Sequence, residues 1–195
     1  MEVYLIRHTE IVVDNGVCYG QSDVALKKPY LKRFAAISKQ IKTEHPVIYS
    51  SSLKRCEILS YYLHRHKKGL QTVKFDDRLK ELNFGQWELK KWDNIDIELL
   101  NDWMLDFVTQ TAPSGESFNQ LYKRVNDFIE MTLLKEMVKE PVIIVTHAGV
   151  IRCFLCRAQH IPLKDAFNLE VQYGSVFKIR IDKKTNKPSR TISSS

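Results

Sequence analysis

Val3-Tyr4-Leu5-Ile6 is a short run of β-branched, aromatic and aliphatic residues that stops abruptly at Arg7-His8-Thr9. Such a run reads as a strand buried on both faces, and the change to cationic residues marks its carboxyl end. The pattern returns late in the chain, where Val142-Ile143-Ile144-Val145 runs into Thr146-His147-Ala148-Gly149. Between these two, Val47-Ile48-Tyr49 reads as a further strand and Thr72-Val73-Lys74-Phe75 as a short one. In an open α/β sheet ligands bind beyond the carboxyl ends of the parallel strands, so the histidines can meet there despite their separation in sequence.

Helical patterns fall between the strands. After a polar loop from Asp14 to Lys28, Pro29 opens a helix of about four turns, with Leu31, Phe34, Ala35, Ile37, Ser38 and Ile41 at helical spacing. Ser50-Ser51-Ser52 reads as an N-terminal cap, because serine oxygens accept from the free amides of a first turn. Leu53, Cys56, Leu59, Ser60 and Leu63 then form the helix's inner face, and Arg55 lies in its first turn. Pro113-Ser114-Gly115-Glu116-Ser117 leads into a long amphipathic helix whose apolar side is Phe118, Leu121, Val125, Phe128, Ile129, Leu133 and Met137. Ile151 to Ala158 continues as a helix. Glu170-Val171-Gln172-Tyr173 and Val176 to Ile181 predict a closing hairpin around Gly174.

The chain has 195 residues, 44% hydrophobic and 27% charged, which fits one soluble domain. That domain is expected over 1–182, with a helical insertion around 88–112 carrying Trp92 and Trp103, and a polar, flexible tail over 183–195. No apolar segment approaches the ~20 residues of a membrane helix, and Met1-Glu2 leads directly into a strand. A cytoplasmic protein without a membrane partner is the expectation. Cys18, Cys56, Cys153 and Cys156 are then reduced thiols, and the Cys153/Cys156 spacing lacks the second pair a metal site needs.

The net charge of +7 admits an anionic partner, but the excess is dispersed. His64-Arg65-His66-Lys67-Lys68 closes a helix, where cations favour the negative end of the dipole, and Lys183 to Arg190 lies in the tail. With no nucleic-acid-binding motif, this reads as surface charge plus a phosphate-binding cleft.

A phosphoryl group in that cleft suits the residues at the strand ends. Arg7 and Arg55 offer planar forks that match phosphate oxygens. His8 can attack phosphorus through a ring nitrogen, a role that needs neutral imidazole and is helped by adjacent arginines that oppose a further positive charge. His147 can bind the equatorial oxygens as charge shifts in the transition state. The leaving alkoxide needs a proton from a carboxylic acid. Glu81 is the best placed, with Glu88 and then Glu116 as competitors.

These residues and their order resemble the histidine phosphatase superfamily, in the branch that includes the phosphoglycerate mutases. The resemblance runs from Leu5-Ile6-Arg7-His8 through Ser50-Ser51-Ser52-Leu53-Lys54-Arg55, Glu81 to Glu88 and Pro113 to Ser117, ending at Val145-Thr146-His147-Ala148-Gly149. It implies a three-layer α/β/α fold of the phosphoglycerate mutase type, with a mostly parallel central sheet. It also implies His8 as the phosphorylated nucleophile, Arg7, Arg55 and His147 as the phosphate pocket, Glu81 as proton donor, and no metal or other cofactor. Gly20-Gln21-Ser22 is similar to the family's second phosphate-contacting loop. The segment Gly16 to Leu26 looks most like the α-ribazole phosphatases, which implies a small-molecule phosphate monoester, α-ribazole 5′-phosphate, as substrate. Two departures stand out: Thr9 replaces a common glycine, and Leu89 replaces a small residue after Trp87-Glu88.

The competing readings are a phosphatase of broad specificity or for sugar phosphates, a phosphoglycerate mutase, and a phospho-ligand binder without catalysis. A binder uses the arginines but has no need of both a nucleophile and an acid.

Overall fold

The computed structural model describes residues 1–68, 72–136 and 138–181, together with the backbone of 192–193. Five elements frame the first half: β1 (Glu2–Arg7), α1 (Leu31–Gln40), β2 (Val47–Ser50), α2 (Lys54–His66) and β3 (Lys74–Phe75). They are followed by α3 (Ile97–Leu105), α4 (Phe118–Phe128), β4 (Val142–Thr146), α5 (Ala148–Gln159), β5 (Val176–Arg180) and β6 (Ile192–Ser193). The sheet order is β3-β2-β4-β1-β5-β6, parallel through the first four strands and antiparallel at β5 and β6.

Side chains alternate across a strand, and here both faces are apolar. Val3, Leu5, Val47, Tyr49, Val142 and Ile144 pack against α4 and α5. Tyr4, Ile6, Ile48, Ile143 and Val145 pack against α1 and α2 on the opposite face. The fold is therefore a mixed α/β sandwich with a mostly parallel sheet, and the continuous apolar strands are its middle layer.

Several local expectations are corrected. Helix α1 spans ten residues, begins after Pro29, and turns Leu31 to solvent. The serines after β2 do not cap α2, whose N-cap is Leu53. Residues 170–173 form no strand; β5 instead pairs antiparallel with β1, because a long apolar neighbour already lies in the sheet for it to join. The long amphipathic helix changes after Phe128 to a π-helical turn over Ile129–Leu134, and Met137 lies outside the described residues. Most of the 183–195 tail also lies outside them, but Ile192–Ser193 pairs with β5 and so is part of the sheet. Ser117 and Gln120 form a reciprocal capping box that sets the start of α4.

Between β3 and α4 the chain carries three 3-10 turns and α3, which is capped by Asp96. Its aromatic residues Trp87, Trp92 and Trp103 pack edge to face or stacked on one another and on Phe84. Among the described residues no helix is long and apolar enough to cross a membrane, and all four cysteines are buried free thiols.

Candidate active site

The register of β1 on β4 pairs Arg7 with Thr146, so the next residues, His8 and His147, leave the sheet side by side. Their ring centroids lie 5.2 Å apart. Ser51 N–H donates to the Val145 carbonyl at 3.0 Å, which brings the end of β2 and the first turn of α2 to the same place. Arg55 in that turn is 0% exposed, His147 0% and His8 1%.

His8 Nδ1 lies 2.8 Å from the Thr9 carbonyl oxygen. A carbonyl only accepts, so Nδ1 carries the proton and Nε2 of the neutral ring keeps its lone pair. Burial, opposed only by the Thr9 carbonyl, and the charges of Arg55 and Arg7 hold the His8 pKa well below the usual imidazole range. The His147 pKa is likewise held well below that range by burial and then by Arg55, which favours the neutral ring. Its Nε2 lies 2.8 Å from Ser51 Oγ. Cys56 packs against the same ring, its thiol pKa pushed far up by burial, which leaves it a neutral wall.

The two arginines are held differently. Arg55 donates to the carbonyls of Gly20 and Ser22, tying α2 to the 16–22 loop. Arg7 donates to the Val171 carbonyl at 2.7 Å, reaches the Tyr19 hydroxyl at 3.5 Å and stacks 3.8 Å from the Tyr173 ring. The Nε of each guanidinium is buried without a partner, as is Thr9 Oγ1. Buried donors of this kind are costly unless an acceptor meets them, and here three of them belong to residues at or beside His8.

The three carboxylates have separate fates. Glu81 accepts from Gly149 N–H at 3.0 Å and from Leu82 N–H at 3.0 Å, which places it at the N-terminus of α5 beside His147. A Cβ on Gly149 would stand 2.4 Å from Glu81 Oε1, so the glycine is what admits the carboxylate. Glu88 is occupied by the N–H groups of Gln21, Ser22 and Phe84 and by the Ser22 hydroxyl. Gln21 and Ser22 therefore turn these donors toward Glu88, while Gln21 Nε2 reaches the Glu81 carbonyl. Glu116 forms a two-point pair with Arg124, which also holds the carbonyls of Arg78, Lys80 and Glu81. Of the three, Glu81 alone lies beside the histidines without being consumed by an arginine or by a loop.

A cavity of about 200 Å³ opens next to Glu81, walled by Tyr19, Phe84, Trp92, Phe118 and Phe167. Arg152 of α5 reaches its edge and that of a wider outer cleft of about 560 Å³. Its Nε donates to the Leu169 carbonyl at 3.1 Å and its guanidinium lies 5.0 Å from the Phe167 ring. Burial and then Arg7 depress its pKa, with Glu81 opposing. Sequence reasoning missed Arg152, Ser51, Arg124 and Tyr173. Helical spacing from Gly149 was the one signal for Arg152, which follows it by three positions on α5; Ser51 was hidden by its resemblance to a helix cap.

Gly20 is packed so closely that a Cβ would lie 2.0 Å from the Leu82 carbonyl oxygen and 2.8 Å from Glu88 Oε1. Gly20→Ala is expected to destabilise the protein by roughly 1–3 kcal/mol through this overpacking, read as a lower denaturant midpoint at unchanged slope. An unchanged midpoint would show that the loop is not pinned to Leu82. Leu89 adopts φ 65°, the left-handed region that disfavours a branched side chain, which explains why a small residue suits this position.

A profile of the histidine phosphatase superfamily, branch 1, matches residues 3–192. The metal-independent phosphoserine phosphatase of Arabidopsis thaliana is 31% identical over 163 residues, covering 80% of this chain and 68% of its own. The adenosylcobalamin/α-ribazole phosphatase of Escherichia coli is 25% identical over 194 residues, covering 94% and 92%. The crystal structure of the α-ribazole phosphatase from Shigella flexneri superposes with a TM-score of 0.87 at 23% identity over 100% of this chain and 96% of that one, a likeness of fold. With a family profile spanning nearly its whole length and phosphatases among its relatives, the chain belongs to the histidine phosphatase superfamily, branch 1, and is a phosphatase.

Proposed function

We propose that the protein is a metal-independent phosphomonoesterase working through a phosphohistidine on His8. The observation that carries this reading is a neutral imidazole anchored through Nδ1 beside two guanidinium groups with buried, unpartnered Nε donors. Nε2 attacks phosphorus, the ester P–O bond breaks, and Glu81 passes its proton to the departing alkoxide. Water then attacks the phosphohistidine, the P–N bond breaks, Glu81 takes the proton from water, and inorganic phosphate leaves. Arg7, Arg55 and the His147 N–H bind the phosphoryl oxygens, and the 20–22 loop closes the pocket through Arg55.

The substrate this reading favours is α-ribazole 5′-phosphate, in assembly of the cobalamin nucleotide loop. Its uncharged bicyclic ring suits a chamber walled by five aromatic residues next to the acid. A second substrate reading rests on Arg152, which directs a partly desolvated guanidinium at the same chamber and suits an ester whose alcohol carries a carboxylate, such as O-phosphoserine. A screen of the chelator-treated protein against α-ribazole 5′-phosphate, O-phosphoserine, 3-phosphoglycerate and common sugar phosphates separates them. The first reading predicts the highest kcat/KM on α-ribazole 5′-phosphate and little effect of Arg152→Gln there. The second predicts that Arg152→Gln lowers kcat/KM on the acid-bearing esters by roughly 10- to 100-fold, as for loss of a charged hydrogen bond. No turnover of any phosphate ester would overturn both.

A further inference from the structure

His8 is 1% exposed although Arg7 beside it lines both open cavities, and the ring against His8 belongs to one of a pair of tyrosines from distant parts of the chain. Tyr19 comes from the 16–22 loop and Tyr173 from the segment before β5; their hydroxyls hydrogen-bond to each other. The Tyr173 ring is tilted against the His8 ring at 5.5 Å and carries the Arg7 guanidinium on its face.

The two sides of this contact are anchored unequally. The Tyr19 side is fixed by backbone bonds of Cys18 to Leu89 and Lys90 and of Gly16 to Trp92, and by Glu88 on the amides of Gln21 and Ser22. The Tyr173 side has two backbone bonds to the end of β1, from Gly174 N–H to the His8 carbonyl and from Arg7 N–H to the Ser175 carbonyl. Its other ties are arginine side chains on carbonyls: Arg7 on Val171, Arg33 on Tyr173 and Arg152 on Leu169. Such side chains exchange a carbonyl for a phosphate oxygen readily, because the charged acceptor makes the stronger bond.

We propose that Tyr19 and Tyr173 are positioning residues that clasp the pocket shut over His8, and that an incoming phosphate opens the clasp by drawing Arg7 away from Tyr19 and Val171. The same guanidinium thus holds the 170–175 segment closed and receives the ligand, so opening is coupled to binding. This rests on the reading of Arg7 as a phosphate ligand.

A closed state that must open before binding lowers the apparent affinity by the fraction of molecules already open. Removing the hydroxyl pair without removing either ring should raise that fraction. Tyr173→Phe is expected to speed diethylpyrocarbonate modification of His8 roughly five-fold, the population shift expected from loss of one neutral hydrogen bond, and Tyr19→Phe, which also loses the contact with Arg7, to speed it at least as much. Peptide mass spectrometry reads this, with exposed His45 and His66 as internal standards. Inorganic phosphate, titrated calorimetrically, should bind about five-fold more tightly to Tyr173→Phe and at least as much more tightly to Tyr19→Phe, and the double variant should add nothing to Tyr19→Phe. Unchanged His8 accessibility would overturn the clasp. So would weaker phosphate binding in both variants, since the hydroxyls would then be ligands. Faster modification of His8 in a protein that binds no phosphate would instead count against the phosphate pocket and leave the seal itself standing.

Discussion

His8→Ala is expected to abolish both turnover and acid-labile phosphorylation of the protein, with a loss in kcat on the order of 10⁴-fold or more, as for removal of a covalent nucleophile. The expectation follows from the ring's geometry. With Nδ1 committed to the Thr9 carbonyl, Nε2 of His8 keeps its lone pair without a hydrogen-bond partner, whereas Nε2 of neighbouring His147 is engaged by Ser51 Oγ and burial drives the Cys56 thiol pKa far up. A quenched reaction with ³²P-labelled ester, analysed under alkaline conditions that preserve phosphohistidine, reads the intermediate directly. Residual labelling at full stoichiometry in the alanine variant would move the covalent step elsewhere. Because burial and the two arginines hold the His8 pKa low, the nucleophile remains neutral below pH 6.5, and acidification through that value should leave the rate of labelling without the fall that an ordinary imidazole would show.

The second large effect is at Glu81. Glu81→Gln keeps a side-chain oxygen to accept from Gly149 N–H but has no proton to exchange with the leaving group or with water. Loss of roughly 10² to 10⁴ in kcat is expected on an alkyl phosphate. On an activated aryl phosphate, whose leaving group needs no proton, formation of the phosphohistidine should be nearly as fast as in the unaltered protein. Stopped-flow measurement of the aryl alcohol burst separates the two steps: a retained burst with a slowed steady state is the expected result. An equal loss of burst and steady state would remove Glu81 as the proton donor. Glu88 and Glu116 are not expected to substitute, since Glu88 is saturated by the 20–22 loop and Phe84, and Glu116 by Arg124.

The parallel core of this fold was legible because its signal is local. Four apolar residues in succession, ending in Arg7-His8 or Thr146-His147, specify a strand with both faces buried, and the alternation of Val3 and Leu5 against Tyr4 and Ile6 specifies which layer each joins. The partner of β5 was not legible, because strand pairing is chosen among all available edges rather than by the nearest turn residue, here Gly174. The same distinction holds in the pocket. Residue identity named Arg7, His8, Arg55, Glu81 and His147, and the register of β1 on β4 brought His8 and His147 side by side. It did not distinguish Ser51 as a cap from Ser51 as the hydrogen-bond partner of His147, since both roles need only a hydroxyl after a strand.

By itself, then, the chain's order of apolar and polar residues determined the strands and the two histidines at their ends, and its motifs the family. Only the tertiary structure decided which carboxylate remains at the N-terminus of α5, which arginine holds which loop, and that the hydroxyls of two tyrosines separated by 154 positions meet. The reason is range. Hydrophobic periodicity is imposed residue by residue along one element, whereas a polar side chain is committed by whichever donor or acceptor lies within about 3 Å, and that neighbour is supplied by packing of elements far apart in sequence.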